Sequence, residues 1–128
     1  MIYGIGTDIV SVLRMQQALD RHGDHFAERI LGSGEYLEFL KSAHPAHFLA
    51  KRFAAKEATA KAMGLGFRNG LSLKHICVVH DELGKPMLEF HEQGLRLVEE
   101  LAIGEAYISL ADEREMAVAF VTLMKRSA

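Results

Sequence analysis

Asp8 and Glu57 are acidic residues whose sequence surroundings offer a carboxylate little shielding. Asp8 follows Gly4 and Gly6 at alternate positions of "IYGIGTDIV", and Glu57 lies in the alanine-rich stretch "RFAAKEATAKAMGLG". If both carboxylates meet in a half-buried pocket, they repel each other, and burying their charge without a partner is costly. A divalent cation relieves both problems, and oxygen ligands with positions left for water and phosphate suit Mg²⁺ better than Zn²⁺. The two residues favour a magnesium site.

Basic residues flank Glu57 in the sequence and could bind a phosphate. Lys61 follows Glu57 in the favourable order for an i,i+4 ion pair, which contributes about 0.2–0.5 kcal/mol on an exposed helix. Arg52 and Lys56 are also four residues apart but of like charge, an arrangement that is tolerable when an anion lies between them. This pair favours a phosphate ligand. Two structural alternatives stay open. Glu57 could serve only in a helix ion pair, and Asp8 could serve only as a helix N-cap or in an Asx turn.

A strand and a central helix must position these residues. The opening "IYGIGTDIV" alternates with a period of two, which predicts a strand with one nearly bare face. The segment from about His47 to Met63 predicts the central helix, which follows an interruption of the pattern at Pro45. If the bare face of the strand packs beside the alanine edge of the helix, Asp8 and Glu57 converge.

The remaining elements predict a mixed fold. Ser11 as N-cap and Gly23 as terminator bound a helix in "SVLRMQQALDRHG", and two shorter helices follow in "DHFAERIL" and, capped by Ser33, in "SGEYLEFLKS". After Gly64, "GLGFRNG" predicts a glycine-rich loop. The strands "HICVVH" and "PMLEF" join through "DELGKP", a helix follows in "EQGLRLVEELA", and "AYISLA" and "AVAFVTLM" form a last hairpin across "DEREM". Because helices and strands do not alternate regularly, we expect an α+β fold with a mainly antiparallel sheet and a long central helix.

Length and composition predict an ordinary globular protein in which residues 1–128 form a single domain. With 15 basic and 17 acidic residues, the net charge of -2 gives no electrostatic reason to coat nucleic acid or an anionic membrane. Cys77 is the only cysteine, which excludes a disulfide framework and a thiolate zinc site within one chain and fits a reducing compartment. The sequence shows neither a signal peptide nor a stretch approaching the ~20 apolar residues that span a bilayer, so we expect a cytoplasmic protein.

Other motifs fail. "GIGTDI" has Ile9 where a dinucleotide fingerprint needs its third glycine, and no Gly-Lys-Ser/Thr phosphate loop is present. "HEQGL" lacks the second histidine of a zinc protease helix. The pairs His22/His25 and His44/His47 are polar residues near predicted helix ends, and we expect them at the surface.

Four motifs together resemble the holo-acyl-carrier-protein synthase family of short-chain 4′-phosphopantetheinyl transferases. They are "GIGTDIV", "RFAAKEATAKAMG", "HDELGKP" and "SLADE", and in this order they span almost the whole chain. The resemblance implies the 4′-phosphopantetheinyl transferase fold. It also implies Mg²⁺-dependent transfer of 4′-phosphopantetheine from coenzyme A to a serine of apo acyl carrier protein, which releases adenosine 3′,5′-bisphosphate and supports fatty acid biosynthesis.

By this resemblance, Asp8 and Glu57 would bind the metal, and Lys61 would stabilise the transferring phosphate or protonate the leaving group. Arg52 and Lys56 would bind coenzyme A phosphates. The serine proton needs a base, for which the chain offers Glu57, acting directly or through a metal-bound water. Further coenzyme contacts are expected at Gly66, Gly84, Lys85, Pro86 and Ser109.

The resemblance also bears on partners and assembly. Arg14 and Arg21 form a short basic stripe on the first helix, which suits the acidic carrier protein, although a solvated helix face would look the same. Many members have a histidine near the place of Asp112, so the hydrogen bonding there departs from the family pattern. Members of the family are homotrimers with active sites at subunit interfaces, and we expect the same here.

Two other functions remain alternatives. A Mg²⁺-dependent phosphohydrolase acting on a nucleotide would use the same acids, bases and glycine loop, with water in place of the serine. A non-catalytic nucleotide-binding or assembly module would leave Glu57 as a helix ion pair, and Glu57→Gln would then change no activity.

Overall fold

The computed structural model describes residues 1–127, which form five strands, five α-helices and one short 3₁₀ turn. The predicted α+β fold with mainly antiparallel sheets and a long central helix is confirmed. The α-helices are α1 (Val12–His22), α2 (Asp24–Ile30), α3 (Ser33–Lys41), α4 (Pro45–Met63) and α5 (Glu92–Glu100). The strands are β1 (Ile2–Ser11), β2 (Ile76–His80), β3 (Pro86–Phe90), β4 (Ile103–Asp112) and β5 (Met116–Lys125).

Strands β1, β5 and β4 form an antiparallel sheet in that order, and β2 pairs with β3 in a separate hairpin. The last hairpin is longer than predicted, because β4 begins at Ile103 and β5 extends to Lys125. One face of the sheet packs on α4 through small and aliphatic side chains of β5, which include Ala117, Ala119, Val121 and Leu123. The other face is exposed. Because the inner face of the sheet packs on α4, this helix lies at the centre of the core.

Helix α4 can occupy this central place because its buried residues are mostly alanines. Alanine favours the helix intrinsically and lets neighbouring backbones approach closely. As predicted, the pattern is broken between α3 and α4, but α4 begins at Pro45 itself, two residues before the predicted start near His47. Proline fits the first helical position because its missing N–H would have no partner there. Gly64 ends the helix in the left-handed conformation, as predicted.

The caps of the shorter helices agree with the sequence in one case and differ in another. Ser11 caps α1, and its hydroxyl accepts a hydrogen bond from the backbone N–H of Arg14, as predicted. The prediction that Ser33 caps α3 was wrong, because Gly32 holds the N-cap position and Ser33 is the first helical residue. The carboxylate of Glu35 accepts the N–H of Gly32 at 3.0 Å instead.

No helix within residues 1–127 is both long enough and apolar enough to cross a membrane.

Candidate active site

Close packing of β1 on α4 brings the two predicted carboxylates together. Gly4 and Gly6 face the helix, and an added Cβ would lie 2.1 Å from the carbonyl oxygen of Ala62 and 1.9 Å from that of Ala58, respectively. These contacts exclude any side chain larger than hydrogen. Asp8 continues the same face of β1, so its carboxylate reaches the edge of α4 that carries Glu57.

Lys61 joins the two elements. Its Nζ donates to Oδ1 of Asp8 at 2.9 Å and to the carbonyl oxygen of Thr7 at 3.0 Å. Lys61 thus forms its ion pair from the helix to the strand, with Asp8. Its side chain is 54% exposed, so the ammonium stays accessible to a ligand.

The electrostatics of Glu57 reflect this arrangement. Partial burial raises the pKa of Glu57, the charge of Asp8 raises it further, and the Lys61 ammonium opposes the shift. The repulsion between carboxylates that the sequence predicts is therefore present. Asp8 and Glu57 form a pair of partly buried acids with one cation beside them.

This donor set fits Mg²⁺. Magnesium in phosphate-processing sites commonly takes one or two carboxylates from the protein and fills its other positions with water and substrate phosphate. Residues 1–127 contain no group of three or more His, Cys, Asp and Glu side chains placed to hold a metal. Asp8 and Glu57 are the residues of this chain that would hold such an ion.

Lys56 is not available to a phosphate, which corrects the interpretation made from the sequence. Its side chain is fully buried, and its Nζ donates to Oε1 of Glu35 at 2.6 Å, to the carbonyl oxygen of Leu73 at 3.0 Å and to that of Ile76. These bonds use all three donors of the ammonium. The pKa of Lys56 is lowered because burial disfavours its charge, and Glu35 offsets part of that shift.

Arg52 is buried as well. Its Nε lies 3.5 Å from Oε2 of Glu35, one terminal nitrogen donates to Glu38 at 3.0 Å, and the guanidinium stacks 4.5 Å from the Phe48 ring centroid. The anion between the like-charged Arg52 and Lys56 is thus an internal carboxylate. Contact of Arg52 with coenzyme A stays a prediction that requires the half-exposed Glu38 to release it.

Glu35 is the important residue that sequence reasoning missed. It is 3% exposed and neutralises both bases on the inner side of α4. In "SGEYLEFLKS" it looks like an ordinary acid in the first turn of a helix. The like charges of Arg52 and Lys56, four residues apart, indicated that an anion lies between them. They did not indicate that this anion is the Glu35 carboxylate.

The place of Asp112, where the resemblance led us to expect histidine in many relatives, carries an ion pair in this chain. Oδ1 of Asp112 lies 3.6 Å from Nζ of Lys51, and both side chains are about one-third exposed. They line a surface cavity of about 400 Å³ with Phe48, His44 and His47. Nε2 of His47 is 3.1 Å from the carbonyl oxygen of Arg114, so this histidine forms a hydrogen bond with the backbone of the same chain.

The predicted coenzyme contacts lie on three separate segments of the chain. Gly66, at φ 61°, lies in the loop after α4. Gly84, at φ 86°, and Lys85 lie in the turn between β2 and β3, and Pro86 is the first residue of β3. Ser109 is exposed on β4 and is paired with Phe120, on the sheet face opposite α4. The predicted carrier-binding residues Arg14 and Arg21 are exposed on α1.

Comparison with known proteins identifies the family of this chain. A family model described as the 4′-phosphopantetheinyl transferase superfamily matches residues 4–120. The holo-[acyl-carrier-protein] synthase of Halorhodospira halophila is 53% identical over 124 residues, which cover 97% of this chain and 98% of the relative.

Solved structures agree too. The holo-[acyl-carrier-protein] synthase of Neisseria meningitidis superposes with a TM-score of 0.93 at 46% identity, over 98% of this chain and 100% of the other. The Bacillus anthracis enzyme, described in complex with CoA (3′,5′-ADP), gives a TM-score of 0.81 at 35% identity, over 98% of each chain. The fold that the resemblance implied is confirmed. On the match across residues 4–120 and the identity across nearly its whole length, the chain belongs to the holo-[acyl-carrier-protein] synthase family of the 4′-phosphopantetheinyl transferase superfamily.

Proposed function

We propose that this chain transfers 4′-phosphopantetheine from coenzyme A to a serine of apo acyl carrier protein in a Mg²⁺-dependent reaction. The observation that carries the proposal is the convergence of Asp8, Glu57 and Lys61 where β1 packs on α4. The names of the relatives and the coenzyme complex of the Bacillus anthracis enzyme support the same reaction. The holo carrier would serve fatty acid synthesis.

In this reaction the serine oxygen forms a bond to the phosphorus that bears pantetheine, and the bond from that phosphorus to the bridging oxygen breaks. Adenosine 3′,5′-bisphosphate leaves with the electron pair, and the serine proton passes to a base. Magnesium bound by Asp8 and Glu57 would neutralise charge on the diphosphate. Glu57, beside Asp8 and Lys61, is the carboxylate that would accept this proton, directly or through water. The Lys61 ammonium would stabilise the developing charge.

The test is mass spectrometry of apo acyl carrier protein incubated with this chain, coenzyme A and MgCl₂. A phosphopantetheine adduct on the carrier is expected, and EDTA or a carrier with alanine at the acceptor serine should prevent it. Asp8→Asn and Glu57→Gln should each lower the transfer rate by about 100-fold or more, because each removes a charge on which the transition state depends.

The other outcomes separate the competing functions. Release of pantetheine phosphate without an adduct would support the phosphohydrolase, in which water takes the place of the serine. Absence of any turnover, with Glu57→Gln binding coenzyme A as well as the unaltered chain does, would support the non-catalytic module. Either result contradicts the proposed transfer.

We also propose that the chain is a homotrimer. The sheet face opposite α4 exposes apolar side chains from all three strands, among them Ile9 (61% exposed), Tyr107 (47%) and Phe120 (47%). Monomeric proteins seldom leave a contiguous apolar patch of this kind in water. Ser109 lies on the same face, so its predicted contact with coenzyme A is compatible with a site completed between subunits. The number three comes from the family resemblance.

The remaining assignments are proposals of the same kind. Arg14 and Arg21 would dock the acidic carrier protein, and the loop and turn residues Gly66, Gly84, Lys85 and Pro86 would contact coenzyme A. The free thiol of Cys77 is compatible with a reducing compartment, and we propose that the enzyme works in the cytoplasm.

A further inference from the structure

Glu35 joins three separate elements of the chain through one buried carboxylate. Oε1 accepts from Nζ of Lys56 on α4 at 2.6 Å and from the N–H of Gly32 at 3.0 Å. Oε2 accepts from the backbone N–H of Val78, in the middle of β2, at 3.0 Å. Helix α3, helix α4 and strand β2 are thus tied to a single side chain.

Lys56 strengthens the tie between α4 and β2. Besides Glu35, its ammonium donates to the carbonyl oxygens of Leu73 and Ile76, which lie in the 3₁₀ turn before β2 and at the first residue of β2. The backbone of β2 is therefore bonded to two side chains, one beside Glu57 on α4 and one on α3.

The hairpin that starts here carries residues 84–86 at its far end. Val78 pairs with Leu88, and His80 pairs with Pro86, so the two strands continue directly from the bonds of Glu35 and Lys56 to the turn. Asp81 closes the turn, since its carboxylate accepts from the N–H of Lys85 at 2.9 Å and its own N–H donates to the Lys85 carbonyl at 3.0 Å. A two-stranded hairpin is marginal by itself, so its position depends on what holds its base.

We propose that Glu35, acting through Lys56, is a positioning residue for coenzyme A. It holds the β2–β3 hairpin at a fixed position relative to α4, so that one coenzyme molecule reaches both residues 84–86 and the carboxylates of Asp8 and Glu57. This inference rests on the proposed function, because that function places the nucleotide at the turn.

Stability alone does not explain this choice of residues. A buried ion pair can often be replaced by apolar side chains of similar volume without loss of stability. What an apolar pair does not reproduce is direction, because each bond from Glu35 and Lys56 fixes a particular backbone group of β2. The double variant Glu35→Leu/Lys56→Met uses this difference, since it removes both charges together and leaves Arg52 paired with Glu38.

The experiment measures transfer kinetics and thermal unfolding for the unaltered chain, the double variant and Met15→Ala. Met15→Ala is the control, because Met15 is buried on α1, which packs on α4, α2 and β1, so its truncation lowers stability through packing away from the β2–β3 hairpin. The double variant should raise KM for coenzyme A roughly tenfold or more, with kcat at saturating coenzyme A and KM for the carrier within about twofold. Met15→Ala should leave KM for coenzyme A unchanged, because lost packing reduces only the active fraction.

A KM for coenzyme A that stays within about twofold in a folded double variant would overturn the positioning role. If the unaltered chain transfers nothing, the proposed function has failed, and calorimetric titration with coenzyme A decides the inference separately. Weaker binding by the double variant than by the unaltered chain would then support the role of Glu35. Equal binding, or no binding to either protein, would refute it.

Discussion

The Lys61 ammonium bonds to the Asp8 carboxylate, to which a metal ion would also bind. Its bonds to Oδ1 of Asp8 and to the Thr7 carbonyl satisfy the carboxylate when no metal is bound. Because the side chain is long and half-exposed, it can turn away when a stronger cation arrives. Lys61 would then be free to approach the phosphate, which would link its observed role as the counter-ion of Asp8 to its proposed catalytic role.

Lys61→Met is expected to separate these roles. Loss of the competing positive charge should raise the affinity for Mg²⁺ without coenzyme A by roughly fivefold, since a unit charge at 4 Å contributes about 1 kcal/mol even in bulk water. Transfer should nevertheless fall by roughly 10²–10³-fold. Titration calorimetry with MgCl₂ and the transfer assay measure the two effects. Lys74→Met, which removes an exposed lysine elsewhere, is the matched control, and weaker Mg²⁺ binding by Lys61→Met would contradict the competition.

Cys77 shows how the buried charges affect a neighbouring group. Burial raises the pKa of Cys77 from 9.0 to about 11, the Glu35 charge adds to the shift, and Lys56 partly opposes it. Between these values the folded chain holds the thiol proton more tightly than the unfolded chain does. This group therefore makes the protein less stable as pH rises from about 9 to 11.

The same shift predicts thiol reactivity. At pH 8, Ellman's reagent should modify native Cys77 far more slowly than the urea-unfolded chain, and the native rate should rise about tenfold per pH unit until pH nears 11. Because Cys77 is the only thiol in the chain, the absorbance change reports on this residue alone. A native rate at pH 8 equal to that of the unfolded chain would show that the thiol is neither buried nor shifted.

At the scale of the elements, the contact between β1 and α4 determines whether the site exists. The two glycines and the alanines let the strand backbone lie directly on the helix, and this separation sets how near Asp8 comes to Glu57. This contact could be predicted from the sequence, because a bare strand face and an alanine-rich helix each need a close neighbour.

Gly6→Ala tests this contact. The new methyl group would lie 1.9 Å from the Ala58 carbonyl oxygen, so strand and helix must separate. We expect a loss of at least about 2 kcal/mol in the free energy of unfolding, measured with urea. Gly34→Ala in α3 meets no atom within 4 Å and should stabilise the chain by up to about 1 kcal/mol. Equal stability of both variants would refute close packing as the reason for Gly6.

The assignment of Lys56 marks the limit of what the sequence could give. Like charges one turn apart require an anion, and this inference was sound, but a phosphate and a buried carboxylate satisfy it equally well. The choice depends on how α3 lies against α4, which is a tertiary contact between segments with ordinary local patterns. Ser33 illustrates the same limit, since Glu35 took over the Gly32 N–H at the start of α3.

At the scale of the whole molecule, the exposed sheet face is the feature that one chain leaves unexplained. Thr7 and Ser109 flank Phe120 on neighbouring strands, and Ile9 and Tyr107 extend the patch to its sides. Apolar groups that stay in water contribute nothing to the stability of a monomer, but their burial between subunits is favourable by about 25 cal/mol per Å². Burial of these side chains between subunits would thus stabilise the assembly.

Phe120→Glu should therefore prevent assembly without unfolding the chain. A carboxylate at the centre of a buried interface lacks a partner, whereas at the same position in a monomer it is solvated and costs about 0.5 kcal/mol or less. Sedimentation equilibrium should give the mass of three chains for the unaltered protein and of one chain for the variant. Its circular dichroism should be retained, and its melting temperature should no longer depend on concentration. Leu37→Glu, which alters an apolar residue on α3 that is more exposed than Phe120, should remain trimeric. A monomeric Leu37→Glu variant or a trimeric Phe120→Glu variant would place the interface elsewhere.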